Sequence, residues 1–367
     1  MNRIFLYLKN FDWIIFSSVL LLACFGLVEI YSIALGNDAA DFLNFQKQIL
    51  FIFSGVALLF IFSFIDFHTL KNWSIYIYLG TLGVLGAVLL WGVNIRGSRA
   101  WFSIAGFNIQ PSEFAKIVLI IFLAKFFSSR ATKNRPLKQL VLSGVGAMGI
   151  AIFVFLQPDF GSALLLLSIW LLMLIITGFS KKYFIILGII LLAGSMILWN
   201  FSFKDYQKQR ILTFLNPTAD ALDQGYNVSQ AMIAVGSGQL TGRGLGFGSQ
   251  SQLKFLPEAQ NDFIFAVISE ELGLLGCLSV ILLYTAFFFR SIAVIKKINS
   301  DFGIFFILGA LGLIFIEMFI NISMNIGILP VVGISLPFIS YGGSSIISSF
   351  ILVGIMENII IRSKINY

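Results

Sequence analysis

Phe11-Asp-Trp-Ile-Ile-Phe-Ser-Ser-Val-Leu-Leu-Leu-Ala-Cys-Phe-Gly-Leu-Val-Glu-Ile-Tyr-Ser-Ile33 and, near the other end of the chain, Ile304-Phe-Phe-Ile-Leu-Gly-Ala-Leu-Gly-Leu-Ile-Phe-Ile-Glu-Met-Phe319 decide the fold class. Each is an apolar run close to the length of about 20 residues that carries an α-helix across hydrocarbon. Membrane β-barrels instead show alternating segments of about ten residues, and no such alternation is present here. The pattern repeats along the whole chain: 58% of the residues are hydrophobic, only 11% are charged, and the mean hydropathy is +0.95. An ordinary soluble domain carries roughly 25% charge. A chain of 367 residues with so few charges cannot cover a water-facing surface, so a water-soluble enzyme is excluded. The chain reads as an all-α polytopic membrane protein, one integral-membrane domain over 1–367.

Hydropathy divides it into about ten spans of roughly twenty residues: 12–35, 48–65, 73–92, 112–128, 138–156, 160–179, 182–202, 262–290, 303–326 and 336–361. The net charge of +7 is topological. Arg3, Lys9, Lys71, the cluster from Lys125 to Lys138, Lys181, Lys182, Arg290, Lys296, Lys297, Arg362 and Lys364 all fall on one side. The positive-inside rule makes that side, with both termini, cytoplasmic, and nucleic acid drops out as a partner. Leu21-Leu-Ala-Cys24 resembles a lipoprotein cleavage box, but the apolar run continues to about residue 35, too long for a signal peptide; it reads as a retained span. Cys24 and Cys277 lie in apolar runs and His68 in a short polar turn, so neither a disulfide framework nor a His/Cys metal site is indicated.

The segment 203–260 is the exception to short loops and is expected on the external side, between spans seven and eight. Loops of this length in compact proteins are usually functional. Its glycines (Gly236, Gly238, Gly242, Gly244, Gly246, Gly248) match neither dinucleotide nor P-loop spacing, and no strand precedes them, so no nucleotide cofactor is expected.

Ionisable residues at membrane depth are costly and by default functional. Five clusters qualify. Arg96-Gly-Ser-Arg99-Ala-Trp101 is followed by Gln110-Pro-Ser-Glu113-Phe-Ala-Lys116, in which Glu113 and Lys116 share a helix face and can neutralise each other. Gln157-Pro-Asp159-Phe-Gly161-Ser162 breaks an apolar region, as a tight turn also would. Tyr206-Gln-Lys-Gln-Arg210-Ile-Leu-Thr-Phe-Leu-Asn216-Pro217 collects cations suited to phosphate, although a solvated charge run reads the same way. Phe255-Leu-Pro-Glu258-Ala-Gln-Asn261-Asp262-Phe-Ile-Phe-Ala leads into a span, with Asp262 at its start, where an Asp also serves the helix dipole. Glu270 lies roughly 12 Å deeper on that helix, beyond the reach of capping. Asn321…Asn325-Ile-Gly327…Pro330…Gly333…Leu336-Pro-Phe-Ile-Ser340-Tyr-Gly-Gly-Ser344-Ser345 has the Pro and Gly content of broken helices lining a cavity. These residues alone leave both transporter and enzyme open.

The same stretches, in this order from about position 90 to 345, resemble the SEDS family (shape, elongation, division and sporulation) of bacterial peptidoglycan glycosyltransferases. Gly248-Ser-Gln-Ser-Gln-Leu253 is more similar to the RodA, or elongation, branch than to the FtsW, or division, branch. Asn261 stands where the family usually has Thr, and Gln260 where it commonly has His or Arg; the first third of the chain carries little motif content. The resemblance implies a multi-pass protein of the bacterial cytoplasmic membrane that polymerises lipid II, the disaccharide-pentapeptide on undecaprenyl pyrophosphate, at the outer face in support of rod shape. It implies Asp262 as the catalytic base that takes the proton of the acceptor 4-hydroxyl, with Arg210 and Lys116 stabilising the leaving pyrophosphate. Glu113, Trp101, Arg99, Asp159, Glu258, Ser340 and Ser344 complete the expected substrate-binding set. A divalent cation, magnesium or manganese, would suit the pyrophosphate, though no ligand geometry is legible. The implied partner is a class B penicillin-binding protein, and Gly80, Gly83 and Gly86 form a small-residue stripe of the kind helix contacts use. A lipid II flippase is the rival reading, and a scaffold that tolerates loss of Asp262 is a third.

Overall fold

A computed structural model describes residues 3–36, 42–95, 97–104, 106–129, 136–201 and 224–365. In chain order the described helices are α1 (Arg3–Asn10), α2 (Trp13–Leu35), α3 (Leu43–Phe64), α4 (Phe67–Trp91), α5 (Pro111–Ser129), α6 (Pro136–Leu156), α7 (Phe160–Ile176), α8 (Lys181–Phe201), α9 (Gln224–Ser237), α10 (Ser249–Gln252), α11 (Ile264–Ile295), α12 (Asp301–Asn325) and α13 (Gly343–Ile365). Their starts follow local rules. Asp66 caps α4 by accepting the His68 amide at 2.9 Å, and Asp159 caps α7 by accepting that of Ser162 at 3.1 Å. Pro111 opens α5, where its missing amide costs nothing.

The all-α membrane architecture holds. Among the described residues, seven helices (α2, α3, α4, α6, α11, α12 and α13) are long and apolar enough to cross a bilayer. The stretches expected at 112–128, 160–179 and 182–202 are helical too, but α5 carries Glu113, Lys116 and Lys125, and α7 is only 17 residues long. Apolar side chains remain uncovered around the bundle. Ile185, Ile186, Ile189, Ile190 and Leu192 of α8 are all exposed, which only a hydrocarbon solvent tolerates. Trp73 and Tyr76 at one end of α4 and Trp91 at the other are exposed as well, the placement of interfacial aromatic belts. The interior is built on α13, which packs most extensively against α3 and also against α5 and α12.

Two features depart from the hydropathy reading. Residues 93–109 form a three-stranded antiparallel sheet of β1 (Val93–Ile95), β2 (Ser98–Ile104) and β3 (Phe107–Ile109). Its strands are too short to register as periodicity. The apolar stretch at 336–342 was expected to begin the last span, yet it is not helical. Pro337 denies an amide to a helix, and Phe338 sits at φ +66°. Its backbone is instead held by the protein around it. The segment also passes so close to α2 that a methyl group on Gly26 would lie 2.2 Å from the Ile339 carbonyl oxygen.

α11 is likewise interrupted. Gly273 adopts φ +66°, and the amides of Leu274 and Leu275 turn to the carbonyls of Gln239 and Leu240 at 2.9 and 3.1 Å. The described part of 203–260 is therefore no open loop: α9 packs on α11 and α12, and residues 239–252 lie against the break. The glycine stripe on α4 leaves open space beside Gly80 and Gly83, with Phe153 3.5 Å from a methyl group placed on Gly86.

Both described chain ends meet at one end of the bundle. Lys364 Nζ lies 2.8 Å from the Asn10 carbonyl, and Arg290, in the last turns of α11, forks onto Asp12 at 2.7–3.0 Å. The first turns of α11 and α13 are thus at the opposite end, roughly 35 Å away along α13.

Candidate active site

At that opposite end two irregular segments, 256–263 and 326–342, are knitted together. Glu258 takes φ +53°, and its carbonyl accepts the amides of Asn261, Asp262 and Phe263 at 3.0, 3.1 and 3.4 Å. A non-glycine residue in this region is strained by about 1–3 kcal/mol and persists only where its surroundings impose it. Here Asn261 Nδ2 donates to Glu258 Oε2 at 2.6 Å. Ser340 Oγ accepts the Leu336 amide at 2.8 Å and donates to the Asn261 carbonyl at 2.6 Å, while the Tyr341 amide donates to the Gln260 carbonyl at 2.8 Å. From α3, Gln48 spans the Ser340 carbonyl and the Gly342 amide, and Asn44 reaches the Gln260 side chain at 3.0 Å. Tyr284 of α11 donates to the Pro337 carbonyl. Non-helical backbone at membrane depth needs this kind of satisfaction from within the protein.

Asp262 emerges from this knot half-buried, one residue before the N-cap Phe263 of α11. Its carboxylate lies against Gly333, since a methyl group there would be 3.6 Å from Asp262 Oδ2, and Gly333 itself is exposed. The acid thus stands at the rim of the protein. Its own carbonyl accepts from Asn321 and Asn325 of α12, both at 3.0 Å.

A second group lies between α5, α7, α12 and α13. Glu113 and Lys116 pair as their spacing expects, at 2.8 Å, but the lysine is held equally by Glu317 of α12 at 2.5 Å. Lys116 is only 3% exposed, so in this arrangement its ammonium is enclosed between two carboxylates. Ser348 approaches Glu113 at 3.4 Å. Beside this triad, Asp159 accepts from Gln110 Nε2 at 2.9 Å in addition to capping α7, and Ser344 Oγ accepts the Gln110 amide at 2.8 Å. Asp159 and Ser344 therefore fasten the β3–α5 junction to α7 and α13.

The structure thus brings Asp262, Glu258 and Ser340 into one group and Glu113, Lys116, Asp159 and Ser344 into another, with the start of α13 between them. Arg99 is exposed on β2, its guanidinium 3.5 Å from the Leu89 carbonyl, and Trp101 is half-buried two residues on. Arg210 lies outside the described residues. Glu270 receives a structural account: it accepts the amides of Gln250 and Ser251 at 2.8 and 3.2 Å and so anchors α10. Glu271 is bonded to Ser32, Gly246, Ser251 and Gln252. Sequence reasoning missed Glu317, Gln48 and Asn44. A carboxylate in the apolar run of α12 is the signal that flags Glu317; the two amides at the start of α3 offer none until the fold is seen.

A helical bundle with a carboxylate at its rim on broken backbone and a buried ion triad is the architecture of a polytopic membrane protein with a polar site, and leaves enzyme and transporter both open. Comparison with known proteins makes the assignment specific. Residues 12–365 match the FtsW/RodA/SpoVE family, described as "Cell cycle protein", and the chain belongs to that family, the SEDS proteins. It is 34% identical over 363 residues to "Probable peptidoglycan glycosyltransferase FtsW" of Geobacter sp. (strain M18), covering 97% of this chain and 98% of the relative. It is 37% identical over 360 residues to "Stage V sporulation protein E" of Bacillus subtilis, covering 95% and 96%. It is 36% identical over 319 residues to "Peptidoglycan glycosyltransferase MrdB" of Escherichia coli (strain K12), covering 86% and 85%. A chain in a solved structure described as "Structural coordination of polymerization and crosslinking by a peptidoglycan synthase complex" superposes with a TM-score of 0.81 at 26% identity, over 97% of this chain and 98% of that one. By family membership the protein is a glycosyltransferase of the bacterial membrane.

Proposed function

We propose that this glycosyltransferase polymerises lipid II, with Asp262 as the general base. The observation that carries the reading is the placement of Asp262: half-buried, its backbone bonded to Glu258, Asn321 and Asn325, its carboxylate beside the exposed Gly333. There a water-borne sugar and a membrane-anchored pyrophosphate can both approach. The acceptor 4-hydroxyl gives its proton to the Asp262 carboxylate as its oxygen bonds the anomeric carbon of the donor. The bond from that carbon to the phosphate oxygen breaks with inversion, and undecaprenyl pyrophosphate leaves. An alcohol is too weak an acid to be deprotonated ahead of attack, so a positioned carboxylate supplies the rate. Arg210, assigned from sequence, neutralises the departing pyrophosphate. Arg99, Trp101, Glu258 and Ser340 are assigned to the substrate side, whereas Glu113, Lys116, Asp159 and Ser344 support the site from within.

A divalent cation, magnesium or manganese, fits in a restricted form. Among the described residues no cluster of three or more His, Cys, Asp or Glu side chains is arranged to hold a metal. Magnesium, however, is usually held by one or two carboxylates together with substrate phosphates. Glu258 and the buried Asn261 Oδ1, which lacks a hydrogen-bond partner among the described residues, are the donors that would hold it, and it would supply charge neutralisation to the leaving group.

The positive-inside pattern supports ten spans with both termini cytoplasmic and Asp262 external. The 248–253 stretch supports elongation duty, tested by complementing a rod-shape defect against a division defect. The deciding assay incubates the purified chain with labelled lipid II, with and without a class B penicillin-binding protein. Polymer from the native chain and none from Asp262→Asn supports the reading; lipid II translocation without polymer would replace it with the flippase.

A further inference from the structure

Helix α11 begins without help from its own N-cap, because Phe263 has no side-chain acceptor to offer. The amide of Ala266 is shared between the Phe263 carbonyl and Asn325 Oδ1 of α12, both at 3.0 Å. The same Asn325 side chain turns its Nδ2 to the Asp262 carbonyl at 3.0 Å and to the Asn321 carbonyl at 2.8 Å. Asn321, one turn earlier on α12, directs its Nδ2 to the Asp262 carbonyl at 3.0 Å and to the Ile334 carbonyl at 2.8 Å. Both asparagines are wholly buried. A carbonyl oxygen has two lone pairs, so the two side chains saturate the Asp262 peptide between them. Asn321 also ties the residue beside Gly333 to the same point, and Gly333 is the wall against which the Asp262 carboxylate lies.

We propose that Asn321 and Asn325 are positioning residues for catalysis: together they fix the Asp262 peptide and the Gly333–Ile334 wall as one rigid unit, so that the Asp262 carboxylate is held at the distance the acceptor hydroxyl requires. This rests on Asp262 being the base. A structural reading of the same contacts exists, since Asn325 caps α11 and Asn321 packs α12 against the 326–342 segment. The two readings separate because capping uses the Asn325 oxygen, whereas positioning uses its nitrogen.

Asn325→Asp keeps an acceptor for the Ala266 amide and removes the donor to Asp262. Asn321→Ala removes the other donor and leaves the cap intact. Each variant of the full chain, purified in detergent, is measured for lipid II polymerisation at saturating and limiting substrate and for its thermal midpoint. Displacing a reacting group by about 1 Å costs on the order of 10²-fold in rate. The expected result is a fall of that order in kcat for both variants with KM little changed. The midpoint of Asn325→Asp falls as well, because its new oxygen faces the Asp262 and Asn321 carbonyls in a buried site, so the kcat of Asn321→Ala carries the comparison. Adding either substitution to Asp262→Asn is expected to leave the residual rate where it was, because there is no base left to position. Folded Asn325→Asp or Asn321→Ala with native kcat, alongside an inactive Asp262→Asn, overturns the positioning role alone. Native polymerisation by Asp262→Asn overturns the base assignment and this inference with it. If Asn325→Asp does not fold, Asn321→Ala decides by itself.

Discussion

The triad of Glu113, Lys116 and Glu317 allows a stability prediction whose order follows from charge alone. Lys116 donates to both carboxylates, at 2.8 and 2.5 Å, with its side chain 4% exposed. From sequence, loss of Glu113 is expected to strand the lysine. The fold removes that consequence, because Glu317 remains as partner. Glu113→Gln or Glu317→Gln therefore converts a triad of net charge −1 into a neutral pair with a Gln oxygen still accepting from Lys116, and costs less than a charge-assisted hydrogen bond lost outright, about 1.5–3 kcal/mol. Lys116→Met leaves two carboxylates facing each other in a buried site with no cation, and breaking a buried pair in that way costs about 3–5 kcal/mol. Replacing all three by Met leaves neither charge nor buried amide to compensate, and such hydrophobic replacements are often neutral or better. Fluorescence-detected size exclusion after heating, on detergent-solubilised protein, should rank the midpoints: native and triple variant highest, the two Gln variants below, Lys116→Met lowest. If Lys116→Met proved as stable as Glu317→Gln, or the triple variant less stable than Lys116→Met, the lysine would not be compensating those two carboxylates and the reasoning would fail.

Asp262→Asn should express and melt as the native chain does, because Asn325 rather than Asp262 takes the Ala266 amide; polymerisation should fall by roughly 10²–10⁴-fold, and near-native rates would exclude it as base. Gly273→Ala forces a side chain into φ +66° with its Cβ 2.3 Å from the Gly242 amide nitrogen; a clear drop in thermal midpoint is expected, and an unchanged one would mean that α11 is not broken there. Arg210→Ala should weaken handling of the pyrophosphate substrate by about 1.5–3 kcal/mol, read as kcat/KM for lipid II; an unchanged value removes it from the site. A cysteine at Ser237 should react with impermeant maleimide from outside intact cells, and labelling only after permeabilisation would invert the topology.

What the sequence discloses and what it withholds divide along a physical line. Apolar length is a local property, so the helices of the bundle were legible, as was the Glu113–Lys116 pair, whose partners stand three residues apart on one helix. Contacts between distant segments have no such signature. Glu317 reaches Lys116 across 201 positions of chain, and Gln48 reaches Ser340 across 292. The stretch at 336–342 misled for a related reason: a chain buried inside the protein is as apolar as one facing lipid, and hydropathy cannot tell a helix from irregular backbone whose polar groups are satisfied by neighbours. Glu270 misled in the opposite direction. Its depth on α11 suggested chemistry, but two amides of a folded-back segment account for it.

The two polar groups at this end of the molecule differ in a way that matters for catalysis in a membrane. The ion triad is enclosed, its lysine held by both carboxylates, and it joins α5 to α12 while Gln110 and Ser344 join the same region to α13. Asp262 is the reverse: partly open, in irregular backbone just ahead of α11, and fastened through its carbonyl by Asn321 and Asn325. A base in regular helix would have its geometry set by that helix alone. Here it is set by α12, by the 326–342 segment and, through Gln48 and Asn44, by α3, so the carboxylate is referenced to several elements at once. In the proposed role, a carboxylate held at an open rim suits substrates whose sugars stand in water while their lipid anchors diffuse within the bilayer. A base so held would meet a sugar hydroxyl in fixed geometry without the chain enclosing either substrate whole, which is the outcome Asp262→Asn and Asn321→Ala test together.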